Sequence, residues 1–301
     1  MLTIDPDELA RRLPMPAAID ALERAFSSDR PETPLRSHHE VPDGTLYLMP
    51  AAGPEGVGVK LIAINPANPE RGLPLIQGSY VLFDPGTLTP AAVIDGGALT
   101  GLRTAAVSGL ATRHLAREDA HRLVIFGAGV QGNTHLDAML AARPIDEVTV
   151  VSRGSDAAGR LAERALSLGC DARVGEPTAV EHADIVCTCT TSSEPVFDGA
   201  LLPEGAHVNA VGAYQPHTRE LDTQVVARAR VVVESRAAAL EEAGDLLIPL
   251  DEGAIDTNHI VADLSEVVRG RAVRTGPRDV TVFKSVGVAF EDLAVARAAA
   301  S

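Results

Sequence analysis

The sequence predicts an α/β protein in which a Rossmann-type, doubly wound parallel sheet is joined to a smaller, β-rich α+β domain. Three observations support this prediction: a glycine-rich strand–helix junction, strands and helices that alternate after it, and several short strands in the first hundred residues. Strands that alternate with helices are typical of a parallel sheet. We expect the Rossmann domain at residues 109–286 and the second domain at residues 1–108 and 287–301.

The glycine-rich junction is the most informative stretch of the chain. Four apolar residues, 123–126, predict a buried strand, and Gln131–Ala142 predicts the helix that follows it. The G-x-G-x-x-G pattern between them allows a tight turn, a close approach to a pyrophosphate and close helix–strand packing. Because a strand and a helix flank the motif, the pattern favours dinucleotide binding over a structural glycine turn. The candidate cofactor-binding residues here are Gly127, Gly129, Val130, Gln131 and Gly132.

The next predicted strand, Glu147–Val151, bears on the choice of cofactor. An NAD site usually carries an acidic residue after this strand, where it binds the ribose hydroxyls. Here the strand is followed by Ser152 and Arg153, which can bind a 2′-phosphate through a hydroxyl and a guanidinium group. The sequence therefore favours NADP(H), with NAD(H) and a merely solvated arginine as the alternatives.

The rest of the predicted Rossmann domain continues the alternation of helices and strands. A helix is expected at Ala157–Leu168, a short strand near Ala172 and a short helical piece at Pro177–His182. Apolar runs predict further strands at Ile185–Thr190, His207–Val211, Arg230–Val233 and Val280–Ser285. A closing helix is expected at Val288–Ala300.

The N-terminal part predicts one amphipathic helix, Met15–Ser27, followed by a sheet. Pro31 and Pro34 interrupt the chain after this helix, because proline cannot continue a helix. Strands are predicted at 35–41, 45–49, 58–64, 79–84 and 90–95, the last two as a hairpin. A helix at Leu99–Ala116, with Thr100 as a candidate N-cap, leads into the Rossmann domain.

Composition and charge narrow the class of partner. The net charge of −15 argues against nucleic acid or an anionic membrane. No apolar run is long enough to span a bilayer and no signal peptide is evident, so we expect a cytoplasmic protein. The three cysteines do not form a disulfide framework. We expect Cys187 and Cys189 to lie buried on one face of a strand, and we predict no metal site.

A lysine in an otherwise apolar strand is the strongest catalytic signal outside the glycine motif. Lys60 is costly to bury unless it is paired or functional. Burial would lower its pKa and make it a plausible proton donor. The alternative is that Lys60 faces solvent from an edge strand. Arg36 has a similar alternative as a surface residue, and Arg103 as a salt-bridge partner at a helix start. His38, His39 and His217 are expected at the surface or in loops.

An ordered set of short motifs resembles the ornithine cyclodeaminase/mu-crystallin family. The motifs are Lys60 in its strand, Arg103-Thr-Ala-Ala, the glycine junction, Val211-Gly-Ala, Glu242-Ala-Gly-Asp245 and Phe283-Lys-Ser-Val-Gly287. Each motif is short, but their order is specific and covers nearly the whole chain.

The resemblance implies a homodimer that binds a nicotinamide cofactor and a small imino or amino acid, with the substrate in the cleft between the two domains. By this resemblance, the residues at the substrate site are Arg36, Met49, Lys60, Arg103 and Tyr214. The further cofactor-binding residues it implies are Thr104, Cys189, Thr190, Thr191, Val211, Gly212, Ser285, Val286 and Gly287. Of these residues, Thr104 is expected to open a helix. The segment from Lys284 to Gly287 is expected to pass over the cofactor.

Two departures from the cyclodeaminase pattern decide between reactions. Tyr214 stands where cyclodeaminases carry an aspartate, and Tyr47 stands where they carry a glutamate. Cyclodeamination needs a carboxylate as base, and tyrosine is a poor substitute because its ordinary pKa is about 10. We therefore predict a ketimine reductase that reduces a cyclic imino acid such as Δ1-pyrroline-2-carboxylate or Δ1-piperideine-2-carboxylate. The alternatives are ornithine cyclodeaminase, an amino-acid dehydrogenase that acts through an acyclic imine, and a cofactor-loaded binding protein of mu-crystallin type.

Overall fold

The computed structural model describes residues 1–28, 33–53 and 56–301. Pro31, one of the two predicted helix-breaking prolines, lies outside these ranges. Contacts within the chain divide it into two compact units. Unit 1 comprises Met1–Arg103 together with Gly287–Ser301, and unit 2 comprises Thr104–Val286.

Unit 1 is built on a six-stranded sheet. Its strands are β1 (Leu2–Ile4), β2 (Ser37–Val41), β3 (Gly44–Gly53), β4 (Gly56–Ile64), β5 (Ile76–Phe83) and β6 (Pro90–Asp95). Their order in the sheet is β1-β6-β5-β4-β3-β2. All neighbours are antiparallel except β1 and β6, which pair in parallel. The predicted β5–β6 hairpin is confirmed, and β4 lies inside the sheet.

Helices cover one face of this sheet. They are α1 (Pro6–Arg12), α2 (Met15–Ser27) and the C-terminal α10 (Ala289–Ala300). The predicted bounds of α2 are confirmed, and Ile19, Leu22 and Phe26 lie on its buried face. The ring of Phe26 meets that of Phe290 edge to face, with centroids 4.8 Å apart. The α10 helix packs against β3, β4 and β5 and is buried on nearly every side.

Two expectations for unit 1 were wrong. The sequence predicted one helix before the sheet, whereas α1 and β1 also form there; α1 is short enough to escape a search for helical periodicity. The helix α3 begins at Gly96 and ends at Leu115, so Thr100 is not its N-cap. Instead Asp95 Oδ1 accepts a hydrogen bond from the Ala98 N–H at 2.7 Å, and the Thr100 hydroxyl donates to the carbonyl oxygen of Gly96.

Unit 2 contains an eight-stranded sheet in which every neighbouring pair is parallel. The strands are β7 (Arg122–Phe126), β8 (Glu147–Val151), β9 (Asp171–Val174), β10 (Ile185–Thr188), β11 (His207–Ala210), β12 (Arg230–Val233), β13 (Ile260–Asp263) and β14 (Thr281–Lys284). They are arranged in the order β13-β12-β14-β11-β10-β7-β8-β9. The strand order reverses across the β7–β10 neighbours, the switch point at which doubly wound sheets bind ligands. The predicted α/β class is confirmed.

The helices of unit 2 include several that the sequence did not reveal. They are α4 (Val130–Ala142), α5 (Ser155–Ser167), α6 (Thr223–Arg228), α7 (Arg236–Glu242), α8 (Gly244–Asp251) and α9 (Leu264–Val268). The first two were predicted, and the last four were missed because each spans eight residues or fewer. The strand β13 was also missed. In the part of the chain that the structure describes, no helix has both the length and the apolarity needed to cross a membrane.

The strand β10 ends two residues earlier than predicted, and this corrects the environment of Cys189. Cys187 lies within β10 and is buried, whereas Cys189 follows the strand and is only partly buried. The two side chains therefore do not share a strand face. The backbone of Cys189 already belongs to the loop at the carboxyl edge of the sheet, where it turns toward the switch point.

Candidate active site

Unit 1 contains a group of five charged residues that we call the basic cluster: Arg36, Lys60, Arg103, Glu291 and Asp292. Four of them are buried, and Arg36 is half-buried. Lys60 lies in the middle of β4, opposite Met49 of β3 and Tyr80 of β5. Its side chain points under α10 and only 2% of it is exposed. The alternative of a solvent-facing lysine on an edge strand is therefore wrong.

Asp292 joins two of the cations of the basic cluster. Its carboxylate oxygens lie 2.9 Å from the Lys60 ammonium, and Oδ1 accepts a hydrogen bond from Arg103 Nε at 3.1 Å. The Arg103 guanidinium also reaches Glu291 Oε2 at 3.2 Å. Both carboxylates lie in the first turn of α10 and are fully buried. A buried charge requires a partner of this kind, and the pairing holds α10 against the sheet.

Arg36 and Arg103 meet at Gly287. The Arg36 guanidinium donates to the Gly287 carbonyl oxygen at 2.9 Å, and a Cβ on Gly287 would overlap the Arg103 guanidinium. Gly287 has a φ of +82°, a conformation that glycine adopts without strain. Only glycine therefore lets both arginines approach the chain at the start of α10. This places Gly287, predicted to bind the cofactor, beside the basic cluster.

Burial and neighbouring charges lower the basicity of Lys60. Burial lowers the pKa of Lys60 to about 8, the Arg103 charge acts in the same direction, and Asp292 opposes both. A lysine with such a pKa can give up a proton near neutral pH, as the sequence led us to expect. The cluster thus combines three cationic side chains with two carboxylates.

Tyr80 is a polar group of this region that sequence reasoning missed. Its ring is fully buried against Gly58, and its hydroxyl has no hydrogen-bond partner within residues 1–28, 33–53 and 56–301. Burial and the Asp292 carboxylate raise the pKa of Tyr80, so the hydroxyl stays protonated. An unsatisfied buried hydroxyl costs stability. The signal for it was available, because a tyrosine stands opposite Lys60 once β4 and β5 are paired.

Arg103 and Thr104 do not open a helix, contrary to expectation. Both lie in the interior of α3, and both are buried. Arg103 is the last residue of unit 1 before the division and Thr104 the first of unit 2. The helix was predicted to begin later because its first residues, Gly96 and Gly97, are poor helix formers.

The glycine junction in unit 2 has the geometry that the motif predicts. Gly127 has a φ of +96°, and a Cβ there would lie 2.5 Å from the Cys189 carbonyl oxygen across the switch point. A Cβ on Gly132 would overlap the Gly127 carbonyl, whereas one on Gly129 would meet no atom within 4 Å. The first and last glycines therefore allow close packing, and the middle one borders open space.

The N-terminus of α4 adjoins this open space. No side-chain cap satisfies its first N–H groups, and a helix N-terminus attracts anions. Val130 is 68% exposed although it is apolar, and the Gln131 side-chain oxygen is buried without a partner in the described part of the chain. At the end of β8, Ser152 is half-buried and Arg153 is exposed. These residues fit a dinucleotide, since they offer open backbone donors, an apolar contact and an unpaired amide.

The remaining predicted cofactor residues lie at the carboxyl ends of three adjacent strands. Cys189, Thr190 and Thr191 follow β10, Val211 and Gly212 follow β11, and Ser285 and Val286 follow β14. Glu220 accepts hydrogen bonds from Thr190 and Gly212, and Glu234 accepts from the Ser285 hydroxyl and the Val286 N–H. Tyr214 lies half-buried in the loop after β11. Sequence reasoning missed both glutamates, because neither lies in a recognisable motif.

The parallel sheet and its glycine junction define a Rossmann-type α/β protein. The chain belongs to the ornithine cyclodeaminase/mu-crystallin family, whose model matches residues 7–300. It is 38% identical over 286 residues to a Δ1-pyrroline-2-carboxylate reductase of Bacillus cereus, with 90% of this chain and 86% of that protein covered. The resemblance inferred from the motifs is therefore confirmed.

Two solved structures share the whole fold. One is a Thermococcus litoralis Δ1-pyrroline-2-carboxylate reductase in complex with NADH and L-proline, with a TM-score of 0.95, 37% identity and coverage of 100% of this chain and 96% of that chain. The other is an archaeal alanine dehydrogenase dimer with bound NAD, with a TM-score of 0.94, 30% identity and coverage of 100% and 95%. In both of these proteins the bound cofactor is a nicotinamide dinucleotide.

Proposed function

We propose that this chain is an NADP(H)-dependent oxidoreductase that reduces an imine next to a carboxylate to an amino acid. The preferred substrate class is a cyclic ketimine such as Δ1-pyrroline-2-carboxylate or Δ1-piperideine-2-carboxylate. The observation that carries this proposal is Lys60, a buried lysine with a pKa of about 8 that lies beside Arg103. The similarity to Δ1-pyrroline-2-carboxylate reductases supports the same substrate class.

The basic cluster of unit 1 is the proposed substrate site. Arg36 and Arg103 would bind the substrate carboxylate through charge-assisted hydrogen bonds. Lys60 would then hold the imine nitrogen protonated, by donating a proton from Nζ. Met49, next to Lys60 in the sheet, and Tyr214 are proposed to contact the rest of the substrate. The Tyr80 hydroxyl would gain a partner if a polar group entered the cluster.

Unit 2 is the proposed cofactor domain. The glycine junction and the N-terminus of α4 would hold the pyrophosphate, and the loops after β10, β11 and β14 would line the nicotinamide. When bound, the reduced nicotinamide supplies the hydride that the imine carbon accepts. We infer a preference for NADPH because β8 is followed by Ser152 and Arg153 instead of an acidic residue. NAD(H) is the alternative, and the relatives with known structures bind it.

Two other reactions in the family are weaker candidates. Tyr47 and Tyr214 leave the chain without the carboxylates that we expect of a cyclodeaminase base. The similarity to an archaeal alanine dehydrogenase favours an acyclic imine as the second candidate substrate. Such an enzyme would use the same cluster, because an acyclic imino acid carries the same carboxylate and the same C=N bond.

We also propose that the chain forms a homodimer through unit 1. On the sheet face opposite α10, neighbouring strands place a group of apolar residues side by side: Leu48, Val59, Leu61, Val81 and Val93. Leu61 is 36% exposed at the centre of this face. A sheet that is apolar on both faces favours association, and the related alanine dehydrogenase is a dimer.

The proposed function is tested by following NADPH oxidation, with NADH in parallel, against cyclic and acyclic imino acids. Turnover of a cyclic ketimine with faster oxidation of NADPH than of NADH is the expected result. Formation of proline and ammonia from ornithine, without net loss of NADPH, would contradict it and identify a cyclodeaminase. Tight cofactor binding with no turnover of any imino acid would instead identify a binding protein.

A further inference from the structure

A single buried carboxylate connects the ends of two neighbouring strands in unit 2. Glu220 is fully buried in the loop that follows β11. Its Oε1 accepts hydrogen bonds from both the N–H and the hydroxyl of Thr190, and its Oε2 accepts from the Thr188 hydroxyl and the Gly212 N–H, all at 2.7 Å. The two backbone N–H groups can only donate, so each oxygen must accept at least one hydrogen bond; burial and the Asp245 carboxylate raise the pKa of Glu220, and these donors oppose that rise.

The backbone closes tightly around this carboxylate. A Cβ on Gly212 would overlap the Thr190 carbonyl oxygen and lie 2.5 Å from Glu220 Oε1. Glycine at 212 is therefore required for the loops after β10 and β11 to approach each other. The glycine of the Val211-Gly-Ala motif thus has a structural reason, because it leaves room for the Glu220 carboxylate.

Asp245 and Lys284 hold Glu220 in turn; with Glu220 we call them the carboxylate cluster. Asp245 Oδ1 accepts hydrogen bonds from the N–H groups of Glu220 and Leu221 at 2.7 and 2.9 Å. Lys284, the last residue of β14, lies 2.8 Å from Asp245 Oδ2 and donates to the Ala213 carbonyl oxygen at 2.5 Å. The Asp245 end of the Glu242-Ala-Gly-Asp245 motif is thereby explained.

We propose that Glu220 is a positioning residue for the nicotinamide end of the cofactor site, where it fixes the backbone of Thr190 and Gly212. This inference rests on the proposed function, because these two segments are the ones expected to line the nicotinamide. Glu220 itself need not touch the cofactor. It acts through the two loops, and Asp245 and Lys284 hold it in register with the end of β14.

The test uses the isosteric variant Glu220→Gln. An amide offers one acceptor oxygen and one NH₂ group. Whichever way the glutamine lies, its NH₂ faces the backbone N–H of Thr190 or of Gly212, and neither donor can rotate away. Leaving a buried donor unsatisfied corresponds to an effect of about ten- to a hundredfold. The free variant can relieve this cost by moving the two loops apart, and NADPH binding must then restore them, so we expect the Kd for NADPH, measured by its fluorescence in the full-length protein, to rise by about that factor.

A matched control lies at the opposite end of the same strands, where they begin. Asp184 precedes β10 and is 3% exposed; its carboxylate accepts from the N–H groups of His121 and Arg122 and pairs with two arginines. Asp184→Asn therefore also removes a buried carboxylate that accepts several hydrogen bonds. Both variants should lower the melting temperature, but only Glu220→Gln should weaken NADPH binding and speed amide exchange at residues 189–191 and 211–213.

The outcomes separate this inference from the proposed function. If the wild-type protein binds neither NADPH nor NADH, both are overturned. If the wild type binds and Glu220→Gln has the same Kd as Asp184→Asn, only the positioning role is overturned. Should Glu220→Gln not fold, Glu220→Asp provides the second variant: it keeps the charge but is one methylene too short to reach both loops. Unchanged NADPH affinity in that variant would also overturn the inference.

Discussion

The basic cluster of unit 1 and the carboxylate cluster of unit 2 lie largely in the interior, yet their charges are paired differently. In the basic cluster Lys60 and Arg103 bind the two carboxylates through their side chains, and Arg36 donates to a backbone carbonyl oxygen. The carboxylate cluster has two carboxylates and one lysine, and backbone N–H groups supply much of the missing compensation. The first cluster therefore pairs side chains with side chains, whereas the second uses its charge to shape the backbone.

Replacement of Lys60 is expected to have the largest effect on turnover. Lys60→Met should lower kcat by about 10²- to 10⁴-fold, the range that general acid catalysis contributes. The melting temperature should stay the same or rise, because Asp292 keeps Arg103 as its partner and the cost of burying the lysine charge is removed. Below pH 8 Lys60 is protonated in both the folded and the unfolded state, and the folded state bears the cost of burying that charge. The free energy of unfolding of the wild type should therefore rise between pH 8 and 10.5, where the folded state alone loses the proton. Steady-state kinetics and thermal unfolding check both expectations.

Replacement of Lys284, the buried lysine of the carboxylate cluster, should lower the stability of the protein, which Lys60→Met should not do. Lys284→Met leaves Glu220 and Asp245 as two buried carboxylates without a cation. Breaking a buried pair in this way costs about 3–5 kcal/mol, so the free energy of unfolding should fall by about that amount. Urea unfolding, with Lys60→Met beside it, measures the difference. Equal stability of the two variants would mean that the two clusters do not differ as described.

A smaller effect is expected from Arg103→Lys. The variant keeps the charge but loses the fork that lets one guanidinium contact both Glu291 and Asp292. We expect the KM for the imino acid to rise by about tenfold, a loss of one charge-assisted hydrogen bond, with a smaller change in kcat. Arg297→Lys, at an exposed position of α10, is the control. A fall in kcat without a change in KM would assign Arg103 to proton transfer instead of carboxylate binding.

The smallest expected effect is a shift in pH dependence. If protonated Lys60 is the proton donor, kcat/KM should fall as the pH rises through about 8. Asp292 raises the pKa of Lys60, so Asp292→Asn should move this decline to lower pH. The pH profile of kcat/KM for both proteins provides the measurement. A decline at the same pH in both would show that Lys60 is not the group that titrates.

Local patterns predicted a large part of this protein. The glycine junction and its flanking strand and helix were found because their spacing is set by backbone geometry over a short stretch of chain. Lys60 was found because a lysine interrupts an apolar strand. The direction of its pKa shift could be predicted from the expected burial, without knowledge of the neighbouring charges. Short elements such as α6 and α9 were missed, since elements of this length are too short to display a helical period.

What the sequence determined by itself was the fold class, the family and the cations of the basic cluster, because each depends on residues that are neighbours in the chain or on motifs in order. Only the tertiary structure decided which carboxylates meet those cations. Asp292 lies 232 residues from Lys60, and Glu220 lies 30 residues from Thr190 with no motif around it. A buried charge needs a partner, but nothing local specifies which residue the fold will bring to it.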